Sequence, residues 1–128
     1  MVDVSTQFDL RAFRIDEERP QPRTTVLVVY GDADLHSAAE LRERLRMAAE
    51  GDATAIVVDL SDVEFIDSTS LGVLLGAMKR LRGEARELRL VVPRHDVRRI
   101  FELTLLDHVF ALDETRADAL EALSGEAA

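Results

Sequence analysis

Apolar residues fall into short unbroken runs that alternate with stretches of helical spacing. Val26 to Tyr30, Ala55 to Leu60 and Leu88 to Val92 are β-rich runs, ended in turn by Gly31-Asp32-Ala33-Asp34, by Ser61-Asp62 and by Pro93. Strands apolar on both faces are covered on both sides, as in parallel or mixed sheets flanked by helices. Between the runs the period changes to that of a helix. Ala38, Leu41, Leu45 and Ala48 form one stripe behind Ser37-Ala38-Ala39-Glu40, which matches a capping box, and this helix should end near Gly51. Leu71 to Leu81 predicts a second helix with Leu71, Leu74, Leu75, Met78 and Leu81 toward the core, and Val97, Ile100, Phe101 and Thr104 mark a third. Val109 to Leu112 is a weak strand, and Thr115-Arg116-Ala117-Asp118 opens a terminal helix reaching about Leu123.

Toward the N-terminus, Phe8, Leu10 and Ala12 alternate with polar residues and then slip phase to Phe13 and Ile15, as a half-buried strand with a bulge would. Asp16 to Arg23, with Pro20 and Pro22, reads as a loop leading into the Val26 strand, so the two strands form a hairpin. The order is β-β-α-β-α-β-α-β-α. With right-handed crossovers it predicts an α/β fold, a mixed sheet flanked by about four helices. No repeat or linker divides residues 1–128, so one domain is expected, with its ordered core at about residues 8–123.

Composition narrows the function classes. The chain has 128 residues, 16 basic against 25 acidic side chains for a net charge of −9, and 47% hydrophobic residues, which excludes a disordered chain. The acid excess works against a direct grip on nucleic acid, which needs Lys and Arg to neutralise phosphates. The absence of Cys excludes disulfides, thiolate nucleophiles and Cys-based metal sites, and suits a cytoplasmic protein. Met1 to Ser5 lacks the basic and apolar regions of a signal peptide, and the longest apolar run, Leu71 to Met78, is far short of the roughly 18 residues of a membrane span. No membrane association is expected.

The candidate chemistry lies between Ser61 and Ser70, where the chain leaves the carboxyl end of a strand, the usual place for ligands and partners in such sheets. Asp67-Ser68-Thr69-Ser70 stands directly before the second helix. Asp, Ser and Thr are preferred N-caps, so helix capping alone explains them. On the helix surface, however, Thr69, Gly72, Gly76 and Arg80 form a second stripe with Val73 beside it. Two glycines cost about 1 kcal/mol each relative to Ala. Either the domain's own backbone crosses there or a partner does. Ser68 with His36, His95 or His108 could be written as a triad, but neither spacing nor a glycine-flanked elbow supports one. The three scattered histidines show no ligand spacing, so no catalytic residue, metal or cofactor is expected. Arg80, Arg82, Arg86 and Arg89 read as a solvated helix end rather than an anion site.

Val57-Val58-Asp59-Leu60-Ser61, followed by Phe65-Ile66-Asp67-Ser68-Thr69-Ser70-Leu71-Gly72-Val73-Leu74-Leu75-Gly76, resembles the signature of STAS domains of the anti-sigma factor antagonist type, the anti-anti-sigma factors of bacterial partner-switching systems. Gly31-Asp32-Ala33-Asp34 with Ser37-Ala38 is similar to that family's Gly-Glu-x-Asp turn before its first helix. The resemblance covers essentially the whole chain in element order. It implies a non-enzymatic regulator whose unmodified form binds an anti-sigma factor that is also a serine kinase, thereby releasing a sigma factor. Phosphorylation by that kinase breaks the complex, and a metal-dependent serine phosphatase restores it. The implied phosphorylated residue is Ser68, and Thr69 is its neighbour. The family usually has Gly where this chain has Ser70, which offers a second acceptor. The implied partner surface comprises Asp34, Asp67, Ser68, Thr69, Gly72, Val73 and Gly76. Asp67 also caps the helix, and Asp34 reads equally as a solvated turn carboxylate. A monomer or weak dimer without direct nucleic-acid contact is expected. Two other roles fit a STAS domain: a scaffold or sensor module never phosphorylated, and a module dimerising through Gly72 and Gly76.

Overall fold

The computed structural model describes residues 12–127. The elements run β1 (Arg14–Gln21), β2 (Thr24–Tyr30), α1 (Ala38–Glu50), β3 (Ala55–Asp62), α2 (Ser68–Gly83), β4 (Glu87–Val91), α3 (His95–Leu103), a short 3₁₀ turn (Leu106–His108), β5 (Ala111–Asp113) and α4 (Arg116–Ala127). The order is the expected one. Five strands form one sheet in the order β1-β2-β3-β4-β5, β1 antiparallel to β2 and the rest parallel.

Each parallel strand is added on the same side of its predecessor, so crossovers of one hand place α1, α2 and α3 on one face. Strand alternation divides the core accordingly. Leu27, Val29, Ile56, Val58, Leu88 and Leu90 pack against Leu41, Leu45, Leu71, Leu74, Met78, Leu81, Val97 and Phe101, whereas Val26, Val28, Val57 and Val91 pack against Ala119 of α4. Asp59, between Val57 and Ser61, falls on the α4 face and is only 5% exposed. Its carboxylate accepts hydrogen bonds from the Ser61 amide at 2.9 Å and from Arg116 Nε at 3.1 Å. Arg116 also reaches Glu18 of β1 at 3.1 Å, so one guanidinium ties the start of α4 to two strands.

Two local expectations are corrected. The loop expected at Asp16 to Arg23 is β1 up to Gln21, with only Pro22 and Arg23 in the turn, and Ala12 and Phe13 precede the strand. Phe8 and Leu10 lie outside the described residues. Strand β1 is an edge strand, exposed at nearly every position except Ile15, so it carries no burial periodicity. An edge also tolerates Pro20, and the expected irregularity lies at Glu18/Gln21 instead. The capping box at Ser37 is not made. The Ser37 hydroxyl accepts from the Asp34 amide at 2.9 Å and donates to the Asp32 carbonyl at 2.8 Å, while the Asp34 carboxylate accepts from the amides of His36 and Ser37. An Asx turn at Asp34 has claimed the serine for the loop.

The arginine-rich stretch has specific partners. Arg86 donates to the carbonyls of Ala49 at 2.7 Å, Ala53 at 2.8 Å and Gly51 at 3.3 Å, satisfying orphan carbonyls around the end of α1. Arg89 grips Asp113 through two nitrogens at 2.8 and 3.1 Å, which fastens the three-residue strand β5 to β4. Arg82 donates to the Val109 carbonyl at 3.2 Å, and Arg80 pairs with Glu84 at 3.5 Å.

Candidate functional site

The loops leaving β2 and β3 are neighbours because β2 and β3 are parallel and adjacent. They are joined directly: the Ala33 amide donates to the Phe65 carbonyl at 2.9 Å and the Asp67 amide to the Ala33 carbonyl at 3.0 Å, an isolated bridge between Ala33 and Ile66. This clip brings Asp34 beside the start of α2. Asp67 is the N-cap in extended conformation, φ −111° and ψ 177°, and its carboxylate accepts from the Ser70 amide at 3.0 Å. The helix thus begins at Ser68, three residues before the expected Leu71, because the Asp67 carboxylate caps the turn there, and Ser68 and Thr69 occupy the first two helical positions, where amides lack helical acceptors.

The three hydroxyl residues sit in three environments. Ser68 is exposed, and its hydroxyl has no hydrogen-bond partner among the described residues. Thr69 is half-buried. Ser70 is 0% exposed, and its hydroxyl donates toward the Asp34 carbonyl at 3.4 Å. Helical phase explains the difference, since Ser70 continues the Leu74–Met78 line into the core while Ser68 stands above Gly72. The four-residue spacing from Ser70 to Leu74 is the sequence signal for this, and the reading of Ser70 as a second acceptor leaves it unused. The first turn of α2 holds no acidic residue of its own, so an added anion at Ser68 would meet an unopposed helix dipole apart from the Asp67 cap.

Gly72 and Gly76 lie exposed on α2, and a methyl group at either would meet no heavy atom within 4 Å beyond the adjoining helix backbone. The domain's own backbone does not cross there. Val73 is 6% exposed, with its side chain in the core. Between α1 and α2 a groove of ≈ 260 Å³ is lined by Leu45, Ala49, Gly72, Val73, Gly76 and Ala77, together with Arg42, Arg46 and Arg80. The structure thus assembles Asp34, Asp67, Ser68 and Thr69 at one end of the sheet and places Gly72 and Gly76 one and two turns below. His36, His95 and His108 are exposed on three separate segments. Among the described residues no cluster of His, Asp and Glu could hold a metal ion, and no helix is long and apolar enough to cross a membrane.

The domain is a small mixed-sheet α/β fold that presents a solvent-facing serine at the first position of a helix. Residues 17–119 match the STAS domain model, and the chain belongs to the STAS-domain family of anti-sigma factor antagonists. It is 35% identical over 100 residues to the anti-sigma-F factor antagonist RsfB of Mycobacterium tuberculosis, covering 78% of this chain and 81% of that one. The crystal structure of an anti-sigma factor antagonist from Mycobacterium paratuberculosis superposes with a TM-score of 0.81 at 30% identity, covering 88% of this chain and 94% of the other. SpoIIAA in its unphosphorylated form matches with a TM-score of 0.74 at 26% identity, covering 88% and 97% of the two chains, and a structure of phosphorylated SpoIIAA from Bacillus shares the fold at 24% identity, TM-score 0.67, covering 86% and 99%.

Proposed function

We propose that the unmodified chain binds an anti-sigma factor that is also a serine kinase, so releasing its sigma factor, and that phosphorylation of Ser68 by that kinase abolishes the complex until a serine phosphatase removes the group. The carrying observation is the sorting of hydroxyls at the start of α2. Ser68 alone is exposed without a hydrogen-bond partner, and Ser70 is sealed beneath it. The names of the relatives, and the existence of SpoIIAA in both phosphorylation states, support the same reading.

In this scheme the chain supplies the acceptor and the docking surface, while the kinase brings ATP, metal and base. A phosphate adds about −1.5 to −2 charge near neutral pH. The fold tolerates it, because the first amides of α2 and the positive end of its dipole face the added oxygens. A partner carboxylate about 4 Å away, at an effective dielectric near 20, would lose about 4 kcal/mol per unit charge pair, roughly a thousandfold in affinity. Asp34, Asp67, Thr69, Gly72 and Gly76 form the surface around the switch, and Val73, 6% exposed, lies at the floor of the groove beside them.

The test is incubation with a cognate anti-sigma kinase and ATP, followed by peptide mapping and affinity measurement. Phosphate is expected on Ser68, with Ser70→Ala still modified and Ser68→Ala unmodified but binding. Unmodified Ser68, or equal binding by Ser68→Asp and Ser68→Ala, would overturn the switch.

A further inference from the structure

We infer that Leu35 and Phe65 are paired apolar anchors that dock this chain onto its protein partner, and that the partner's matching surface is two apolar sockets rimmed by Lys and Arg. The inference rests on the proposed function and adds what recognises the partner and what kind of surface it must be.

Leu35 is 68% exposed and Phe65 49% exposed, two of only five large apolar side chains left in solvent among the described residues. The sequence pattern around each gives no local reason. Leu35 occupies a turn whose neighbours Asp34 and Ser37 are held by side-chain hydrogen bonds, and Phe65 is followed by Ile66, which is buried at 3% exposure. The chain had a buried position next to Phe65 and put the larger ring outside.

The two anchors sit on a rigid base. Phe65 contributes its own carbonyl to the Ala33 amide at 2.9 Å, and Leu35 follows two residues after Ala33. The anchors are therefore carried by loops clipped together at the end of the sheet where Ser68 stands. Because the loops that carry them are already fixed to each other, docking has little backbone left to order, so this is where an interface would concentrate its binding energy.

Charge then selects the partner. Residues 31–37 and 61–67 contain Asp32, Asp34, Asp62, Glu64 and Asp67 and no Lys or Arg. Asp34 and Asp67 each spend one carboxylate oxygen on backbone amides, and Asp32, Asp62 and Glu64 are exposed. Arg94, which lies close enough to Glu64 to feel its charge, is already paired with Asp96 at 3.0 Å. A surface of two apolar anchors with Asp32, Asp34, Asp62 and Glu64 around them fits a partner with apolar sockets and a basic rim facing those four carboxylates, outside the spot opposite Ser68 where the proposed switch places a partner carboxylate. Another acidic face would be repelled, and a bare lipid surface offers no sockets. The anchors set how long the complex lasts, and the carboxylates set how fast it forms.

The experiment measures association and dissociation rates of the full chain with the same anti-sigma kinase, without ATP. Leu35→Ala and Phe65→Ala should each weaken binding about tenfold or more through faster dissociation. Met47→Ala, which removes another exposed apolar side chain on α1, should leave binding unchanged. Melting temperatures of all three should stay near wild type, and raising the salt concentration should slow association of every variant. Wild-type affinity in both alanine variants overturns the anchors while leaving the proposed function intact, and association that does not slow with salt overturns the basic rim. A wild-type chain that fails to bind the kinase overturns the proposed function and this inference together.

Discussion

Replacing Gly72 and Gly76 by Ala should make the protein more stable and a poorer binder. Both glycines lie in the interior of the sixteen-residue helix α2, where each costs about 1 kcal/mol relative to Ala through the backbone freedom it loses on folding. The usual structural reason for such a glycine is a close neighbour. Neither position has one, since the added methyl meets no heavy atom within 4 Å beyond the helix backbone, and both residues are exposed beside the groove between α1 and α2. The double variant should therefore gain about 2 kcal/mol, raising the melting temperature by roughly 3–5 °C per substitution in a chain of this size. If a partner's backbone or side chain packs into the groove, each methyl intrudes on that contact, and overpacking of about 1–2 kcal/mol weakens binding roughly tenfold or more. Thermal unfolding and calorimetric titration with the anti-sigma kinase measure the two effects on the same samples. A fall in melting temperature would show that the methyl groups do meet something in the fold. Higher stability with unchanged affinity would refute the link between the glycines and the partner.

Two further outcomes follow from the contacts. Asp67→Ala removes the side-chain acceptor of the Ser70 amide and should cost about 1 kcal/mol, read as a lower denaturation midpoint with an unchanged slope, and Asp67→Asn or Asp67→Ser should recover most of it. Arg116→Ala leaves the nearly buried Asp59 with only its Ser61 bonds and should cost about 2 kcal/mol. Glu18→Ala, which removes only the half-exposed partner of the same guanidinium, should cost a fraction of that by the same measurement, and equal costs would contradict the burial argument.

The element order was legible because each central strand is apolar on both faces and each of α1, α2 and α3 buries one stripe. Periodicity reports burial within a single element, and those elements are buried in the simplest way. The same logic shows why β1 was misplaced. An edge strand with one buried residue is held by backbone bonds to β2, and backbone bonds leave no mark on side-chain spacing. Ser37 failed for a related reason: the residues match a capping box, but Asp34, three positions earlier, competes for the same hydroxyl and amides, and only the folded turn shows which wins.

By itself the sequence determined the α/β order, the run of capping residues from Asp67 to Ser70 at the head of α2 and the apolar stripe that turns Leu71, Leu74 and Met78 to the core. All of these follow from neighbours within about one helical turn. Tertiary structure alone decided that Asp34 lies against the Ser68 helix, that Leu35 and Phe65 share one end of the sheet, and that nothing in the domain fills the space over Gly72 and Gly76. Those are contacts between segments some thirty or more residues apart in sequence, and what joins them is the parallel pairing of β2 with β3 and the bridge from Ala33 to Ile66. Local spacing says which way a side chain faces, but only the sheet order says what it faces.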